Sequence, residues 1–211
     1  MFDSRIRHLI DPPLNTLGRG LARAGVTADA VTLGGFVLGL AAACAIGFGV
    51  YWLGFLLIAL NRLADGLDGA VARATQKTDH GGYLDITLDF VFYGAIPLAF
   101  AVADPAANAV AAAALLASFY ANGSAFLAFA ISAEKLRLST DAQGIKSFFY
   151  LGGIAEGTET IAVFLIMCLF PAWFAWIAWA FAAVCFVSAF ARIAHSTLLI
   201  KRVGEKNTSD G

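Results

Sequence analysis

Apolar residues fall along this chain in six long runs separated by short polar breaks. The runs extend from Ala30 to Val50, Tyr51 to Asp65, Tyr83 to Ala103, Ala106 to Ala133, Phe148 to Phe170 and Ala172 to Leu199. A bilayer core of ~30 Å is crossed by about 20 helical residues, and that length sets the scale for each run. The second run is too short alone, so it is predicted to continue as helix through the polar residues after Leu63 and to project into water. The pattern predicts an all-α integral membrane protein with six transmembrane helices.

Ahead of the first run lies a segment of different character. Asp11 followed by Pro12 and Pro13 has the form of a helix start, and Gly25 of a stop. Between them Ile10, Leu14, Leu17 and Leu21 recur at helical spacing, with Arg19 and Arg23 off the stripe, as in an amphipathic helix lying along a membrane surface. Thr27 is placed to cap the first span. The predicted organisation is a juxtamembrane segment over residues 1–29, a six-helix domain over 30–200 and a tail over 201–211. The start of the chain lacks the form of a cleavable signal and is expected to be retained.

Composition sharpens this picture. Apolar residues make up 60% of the 211 positions and charged residues only 14%, well below the roughly 25% of a soluble domain. The net charge of -1, with no broad basic face, argues against nucleic-acid binding. Gly34, Gly35 and Gly39 and the alanine-rich stretch from Ala106 to Ala117 read as close helix packing, and Cys44, Cys168 and Cys185 as packing residues within apolar runs.

The basic residues are one-sided. Arg5, Arg7, Arg19 and Arg23 precede the first span, Arg62, Arg73 and Lys77 lie between the second and third, and Lys135, Arg137 and Lys146 between the fourth and fifth. Arg192, Lys201, Arg202 and Lys206 close the chain, while the breaks at Val50, at Asp104 and Pro105, and at Pro171 have no Lys or Arg. Both termini are therefore expected in the cytoplasm.

The candidate chemistry lies between the second and third runs. Asp65 and Asp68 are three residues apart and Asp85 and Asp89 four apart, so each pair shares a helix face. A cytoplasmic turn containing Gly81 and Gly82 would make the two helices antiparallel neighbours and bring four carboxylates together. At an effective dielectric near 20, two such charges ~6 Å apart repel by almost 3 kcal/mol. Either protons or hard divalent cations must neutralise them, and clustered carboxylates suit magnesium or manganese with positions left open for phosphate. Two such ions would fit an in-line displacement at phosphorus. Gly69 and Ala72 leave room for a base or a diphosphate beside the helix, and Arg73 can reach phosphate oxygens.

The spacing D-x2-D-G-x2-A-R-x7-G-x3-D-x3-D is complete from Asp65 to Asp89, and with it the chain resembles the CDP-alcohol phosphatidyltransferases. The six-span pattern and the amphipathic N-terminal helix extend the resemblance over nearly the whole chain. It implies transfer of a phosphatidyl group from CDP-diacylglycerol to a small alcohol with release of CMP. It implies Asp65, Asp68 and Asp85 as ligands of two Mg2+ or Mn2+ ions, Asp89 as the base that also touches metal, and Gly69, Ala72 and Arg73 as the CDP site. Gly81 matches the motif's remaining glycine. A homodimer is implied by the resemblance alone.

The acceptor is less legible. Glycerol-phosphate users of the family place a proline after the third aspartate and a lysine after the fourth, where this chain has Ile86 and Phe90, and the serine pattern of serine users is absent. Runs similar to DFVFYGAIP and YLGGIAEGTETI resemble an uncharacterised branch in the bacterial inner membrane, with the active site facing the cytoplasm. Lys135, Arg137, Lys146 and Arg192 lie on the metal side and could hold a phosphorylated polyol, of the inositol phosphate or glycerol phosphate type. Glu156 and Glu159 could line the same pocket, pair with Arg192, or recognise an amino alcohol such as serine. His8, His80 and His195 receive no role. A reading of a different class is a transporter or proton relay using intramembrane carboxylates, which leaves Gly69 and Arg73 unexplained.

Overall fold

The computed structural model describes residues 2–136 and 157–209, and among them the chain is helical with no strand. The helices are α1 (Phe2–Arg23), α2 (Ala28–Gly47), α3 (Tyr51–Ala74), α4 (Asp79–Ala103), α5 (Pro105–Lys135), α6 (Gly157–Leu169) and α7 (Phe174–Ser209), with a 3-10 turn at Pro171–Trp173 before α7. Among the described residues, four segments are long and apolar enough to cross a membrane: Ala28–Gly47, Asp79–Ala103, Pro105–Lys135 and Pro171–Val203. Their large apolar side chains point outward as well as inward, with Val37, Val110 and Trp176 all more than 60% exposed. That surface suits hydrocarbon rather than water. As the second run requires, α3 continues helically from its apolar first half through the polar residues to Ala74.

Three local features differ from the sequence reading. The first helix does not start at Asp11 but runs from Phe2 through Pro12 and Pro13. Proline's fixed φ is helical, so two prolines remove two backbone donors without reversing the chain. The Gly81–Gly82 pair is not the turn between α3 and α4. The connection is Thr75–Thr78, and both glycines fall in the first turn of α4, where the Thr78 hydroxyl accepts from Gly81 N at 3.0 Å and caps the helix. In α1 the buried apolar residue is Leu14, whereas Leu17, on the same predicted stripe, is exposed. The caps at Gly25 and Thr27 are as read. Gly25, at φ +82°, ends α1 while Val26 N donates to Leu21 O, and Thr27 accepts from Ala30 N.

The chain divides into two compact units, Met1–Ala109 with Ile161–Phe174, and Val110–Thr160 with Ala175–Gly211. In the first, α2 packs on α3 and α4, and α1 packs on α3. Glycine makes these approaches possible. A Cβ on Gly39 would stand 2.7 Å from the Phe92 ring, and one on Gly54 would stand 2.5 Å from Ile46. The buried Asn61 of α3 donates from Nδ2 to Gly35 O of α2 at 2.8 Å, a hydrogen bond that glycine leaves uncovered. Phe92 meets Phe164 edge-to-face at 6.2 Å, and Phe100 stacks on Phe174 at 4.4 Å. In the second unit, Phe119 of α5 meets Phe181 of α7 edge-to-face at 6.1 Å.

The seat of α1 on α3 depends on Gly18, whose added Cβ would lie 2.8 Å from the Ala70 backbone carbon. Backbone cannot yield as a flexible side chain can. Gly18→Val is expected to destabilise the protein by about 1–3 kcal/mol, measured as a lowered melting temperature in detergent. Gly20→Ala, with nothing within 4 Å of the new Cβ, is the matched control and should leave the melting temperature within about 2 °C of the parent.

Candidate metal centre

The site is built where the apolar half of α3 gives way to its polar end. Asp65 and Asp68 stand one turn apart on α3, and Asp85 comes from α4. One carboxylate oxygen from each lies within 4.8 Å of the other two. Three oxygens so close could serve a hard divalent cation, with magnesium or manganese as the ordinary occupants of such a set. A small cavity of about 20 Å³ beside them is shared by Asp89, Thr32, Asn61 and Arg62.

Asp65, Asp68 and Asp89 have different partners. Thr32 of α2 donates from Oγ1 to Asp68 Oδ2 at 2.7 Å. Arg62 donates from Nη2 to Asp89 Oδ1 at 2.8 Å, and its Nη1 lies 3.6 Å from Asp65 Oδ2. The Tyr93 hydroxyl lies 3.4 Å from Asp89 Oδ2 as a donor. Asp89 therefore stands beside the three-oxygen cluster, held by Arg62. Asp68 lies past the apolar segment and is only 9% exposed. Burial raises its pKa to about 6, and the negative charges of Asp85 and Asp89 push the same way against the Thr32 hydrogen bond.

Next to the carboxylates opens a cavity of about 660 Å³, within the range that takes a drug-sized ligand. Gly69, Ala72 and Arg73 all line it, together with Asp68, Asp85 and Gly81. The Arg73 guanidinium is held at the rim by Asn15 of α1, whose Oδ1 accepts from Nε at 3.2 Å and from Nη2 at 3.0 Å. Asp29 also lines the cavity, and its Oδ2 lies 3.1 Å from His80 Nδ1. A Cβ on Gly81 would stand 3.1 Å from Asp29 Oδ1, so this motif glycine keeps the wall thin. The cavity thus joins the carboxylate cluster to an arginine of the kind that meets phosphate.

Of the six candidate acceptor residues, Lys135, Glu159 and Arg192 are described, and all three belong to the second unit. Lys135 is exposed at the end of α5. Glu159 and Arg192 are half-buried in the second unit, where the Arg192 guanidinium lies 5.4 Å from the Phe126 ring centre. Arg137, Lys146 and Glu156 lie outside the described residues. Sequence reasoning missed Thr32, Asn15, Asp29 and the role of Arg62, which it counted only as a topogenic charge. Arg62 alone carried a readable signal, a cation one turn before Asp65.

The family model for CDP-alcohol phosphatidyltransferase matches residues 25–191. The chain is 47% identical over 201 residues to the inner membrane protein YnjF of Escherichia coli, covering 95% of this chain and 98% of that one. It is 30% identical over 170 residues to the archaetidylinositol phosphate synthase of Pyrococcus horikoshii, covering 80% and 83%. Among solved structures, Mycobacterium tuberculosis phosphatidylinositol phosphate synthase with CDP-DAG bound shares the fold at a TM-score of 0.64 and 22% identity, over 87% of this chain and 92% of that one. With this match around the aspartate cluster, the chain belongs to the CDP-alcohol phosphatidyltransferase family and is a membrane transferase of phospholipid synthesis.

Proposed function

We propose that the protein transfers a phosphatidyl group from CDP-diacylglycerol to the hydroxyl of a small polar alcohol, releasing CMP. The observation that carries this reading is the juxtaposition of the Asp65, Asp68 and Asp85 oxygens with a cavity that also holds Arg73. The diphosphate would lie along Gly69 and Ala72, with Arg73 on its oxygens. Bound at Asp65, Asp68 and Asp85, two Mg2+ or Mn2+ ions would supply charge stabilisation to the diphosphate. Asp89, beside the cluster, would take the proton of the acceptor hydroxyl. The acceptor oxygen then forms its bond to the phosphorus attached to the lipid glycerol, and the bond from that phosphorus to the CMP oxygen breaks. Positioning and charge complementarity, rather than a covalent intermediate, would carry the rate.

The acceptor is read as a phosphorylated polyol of the inositol phosphate type. Support comes from the archaetidylinositol phosphate synthase at 30% identity and from the basic residues Lys135, Arg137, Lys146 and Arg192. Six spans and a juxtamembrane α1 are supported by the apolar runs and the amphipathic stripe, and cytoplasmic termini with an active site facing the cytoplasm by the one-sided Lys and Arg distribution. A homodimer in the bacterial inner membrane completes the proposal, the membrane supported by the YnjF match.

Purified protein given CDP-diacylglycerol, Mg2+ or Mn2+ and a panel of alcohols is expected to release CMP with a phosphorylated polyol, the lipid product being identified by mass. Asp89→Asn should lower the rate by roughly two to four orders of magnitude. A rate unchanged in that variant would remove Asp89 as the base, and product formed only with serine would replace the polyol by an amino alcohol.

Below about pH 6 a cation at Asp68 would have to displace a proton. The sign is fixed by the raised pKa, since below about pH 6 the protonated carboxyl competes with metal and above it does not. The Mg2+-induced rise in melting temperature is expected at pH 7.5 and should shrink as pH falls through about 6. A rise that is constant from pH 7.5 to 5 would show that Asp68 is not a ligand.

A further inference from the structure

Arg62 is a cation that the proposed chemistry does not use, yet its placement is elaborately supported. Its side chain is 19% exposed. Nη2 reaches Asp89 Oδ1 at 2.8 Å, Nη1 lies 3.6 Å from Asp65 Oδ2, and Nε donates to Asn61 Oδ1 at 2.9 Å. Asn61, 4% exposed, is itself fixed to α2 through Gly35 O. The Phe92 and Tyr93 ring centres lie 5.2 and 5.9 Å from the guanidinium carbon, close enough for both ring faces to attract it. A positive charge serving only to orient a span in the membrane would require none of these partners.

The arrangement is also asymmetric. Thr32 satisfies Asp68, while Arg62 is divided between Asp65 and Asp89. A guanidinium and a divalent cation are alternative ways of neutralising the same carboxylates, but only the guanidinium is always present. A carboxylate whose charge is already offset by Arg62 attracts a divalent cation less strongly than a bare one.

We propose that Arg62 is a positioning residue, a built-in counter-cation that holds Asp89 beside the three-oxygen cluster and competes with the divalent cation for Asp65. This rests on Asp65, Asp68 and Asp85 being cation ligands. Arg62 keeps the four aspartates together when no metal is bound and makes the empty site a weaker metal trap than four bare carboxylates. The negative diphosphate of the donor compensates the extra positive charge. Metal and CDP-linked lipid therefore strengthen each other's binding.

The test is a Mn2+ titration of the detergent-solubilised full chain without nucleotide, free Mn2+ being read by electron paramagnetic resonance. Arg62→Gln, which removes the charge, is expected to bind Mn2+ about tenfold more tightly than the parent. At saturating Mn2+ its kcat for CMP release should fall, because Asp89 is no longer held. Arg62→Lys keeps the charge but lacks the fork that spans two carboxylates and Asn61, so its Mn2+ affinity should lie between the two. A merely structural arginine predicts the opposite sign, since loosening the site weakens cation binding. Mn2+ affinity in Arg62→Gln equal to or weaker than that of the parent overturns the proposal. If Arg62→Gln fails to fold, Arg62→Lys decides by the same criterion, tighter binding than the parent supporting the proposal and equal or weaker binding overturning it. A parent chain that binds no Mn2+ overturns the metal reading itself, a result distinguishable from failure of the Arg62 assignment.

Discussion

Mutual repulsion of four aspartates at one end of a helix pair is the constraint around which the first unit is arranged. Two carboxylates ~6 Å apart already cost almost 3 kcal/mol at an effective dielectric near 20, and α3 and α4 bring Asp65, Asp68 and Asp85 closer than that. The fold answers in two places. Arg62 supplies a permanent positive charge to Asp65 and Asp89, and the Thr32 hydroxyl supplies a donor to Asp68. What these leave unneutralised is a cluster of oxygens suited to a hard cation. The same residual charge that makes the cluster costly by itself is what a divalent cation would offset.

Carboxylates can be held this close only if the helices beneath them also come close. In lipid, helices gain little by hiding apolar surface from each other, so association rests on van der Waals contact and buried hydrogen bonds. The glycines supply both. Gly39 lets Phe92 lie against α2, and Gly35 leaves its carbonyl open to Asn61. Asn61 in turn accepts from Arg62. A chain of contacts thus runs from a small residue in an apolar helix, through a buried amide, to the cation that holds Asp89. Packing and electrostatics here are one system.

A second link ties the N-terminal helix to the cavity. Gly18 seats α1 against Ala70, and Asn15, three residues earlier, accepts two hydrogen bonds from Arg73. The arginine that would meet the diphosphate is therefore aimed by a helix outside the apolar bundle. The Leu17 side chain of that helix remains exposed, an apolar surface that fits the headgroup region of a bilayer.

By itself, the sequence determined the membrane class, the helical continuation of α3, the caps at Gly25 and Thr27 and the aspartate spacing, because each depends on neighbours within a turn or on summed hydropathy. It misjudged the entry to α1, since Pro12 and Pro13 fit a first turn and a helix interior by the same fixed φ. It also took Gly81 and Gly82 for a turn that Thr78 closes earlier. Only the tertiary structure decided which groups stand among the four aspartates. Thr32 is 36 residues from Asp68 and Asn15 is 58 from Arg73, separations that no local periodicity connects. Arg62 reads along the chain as one more charge at a membrane edge. It becomes the partner of Asp89 only when α4 returns beside α3, because an ion pair depends on distance in space, and the fold alone sets that distance.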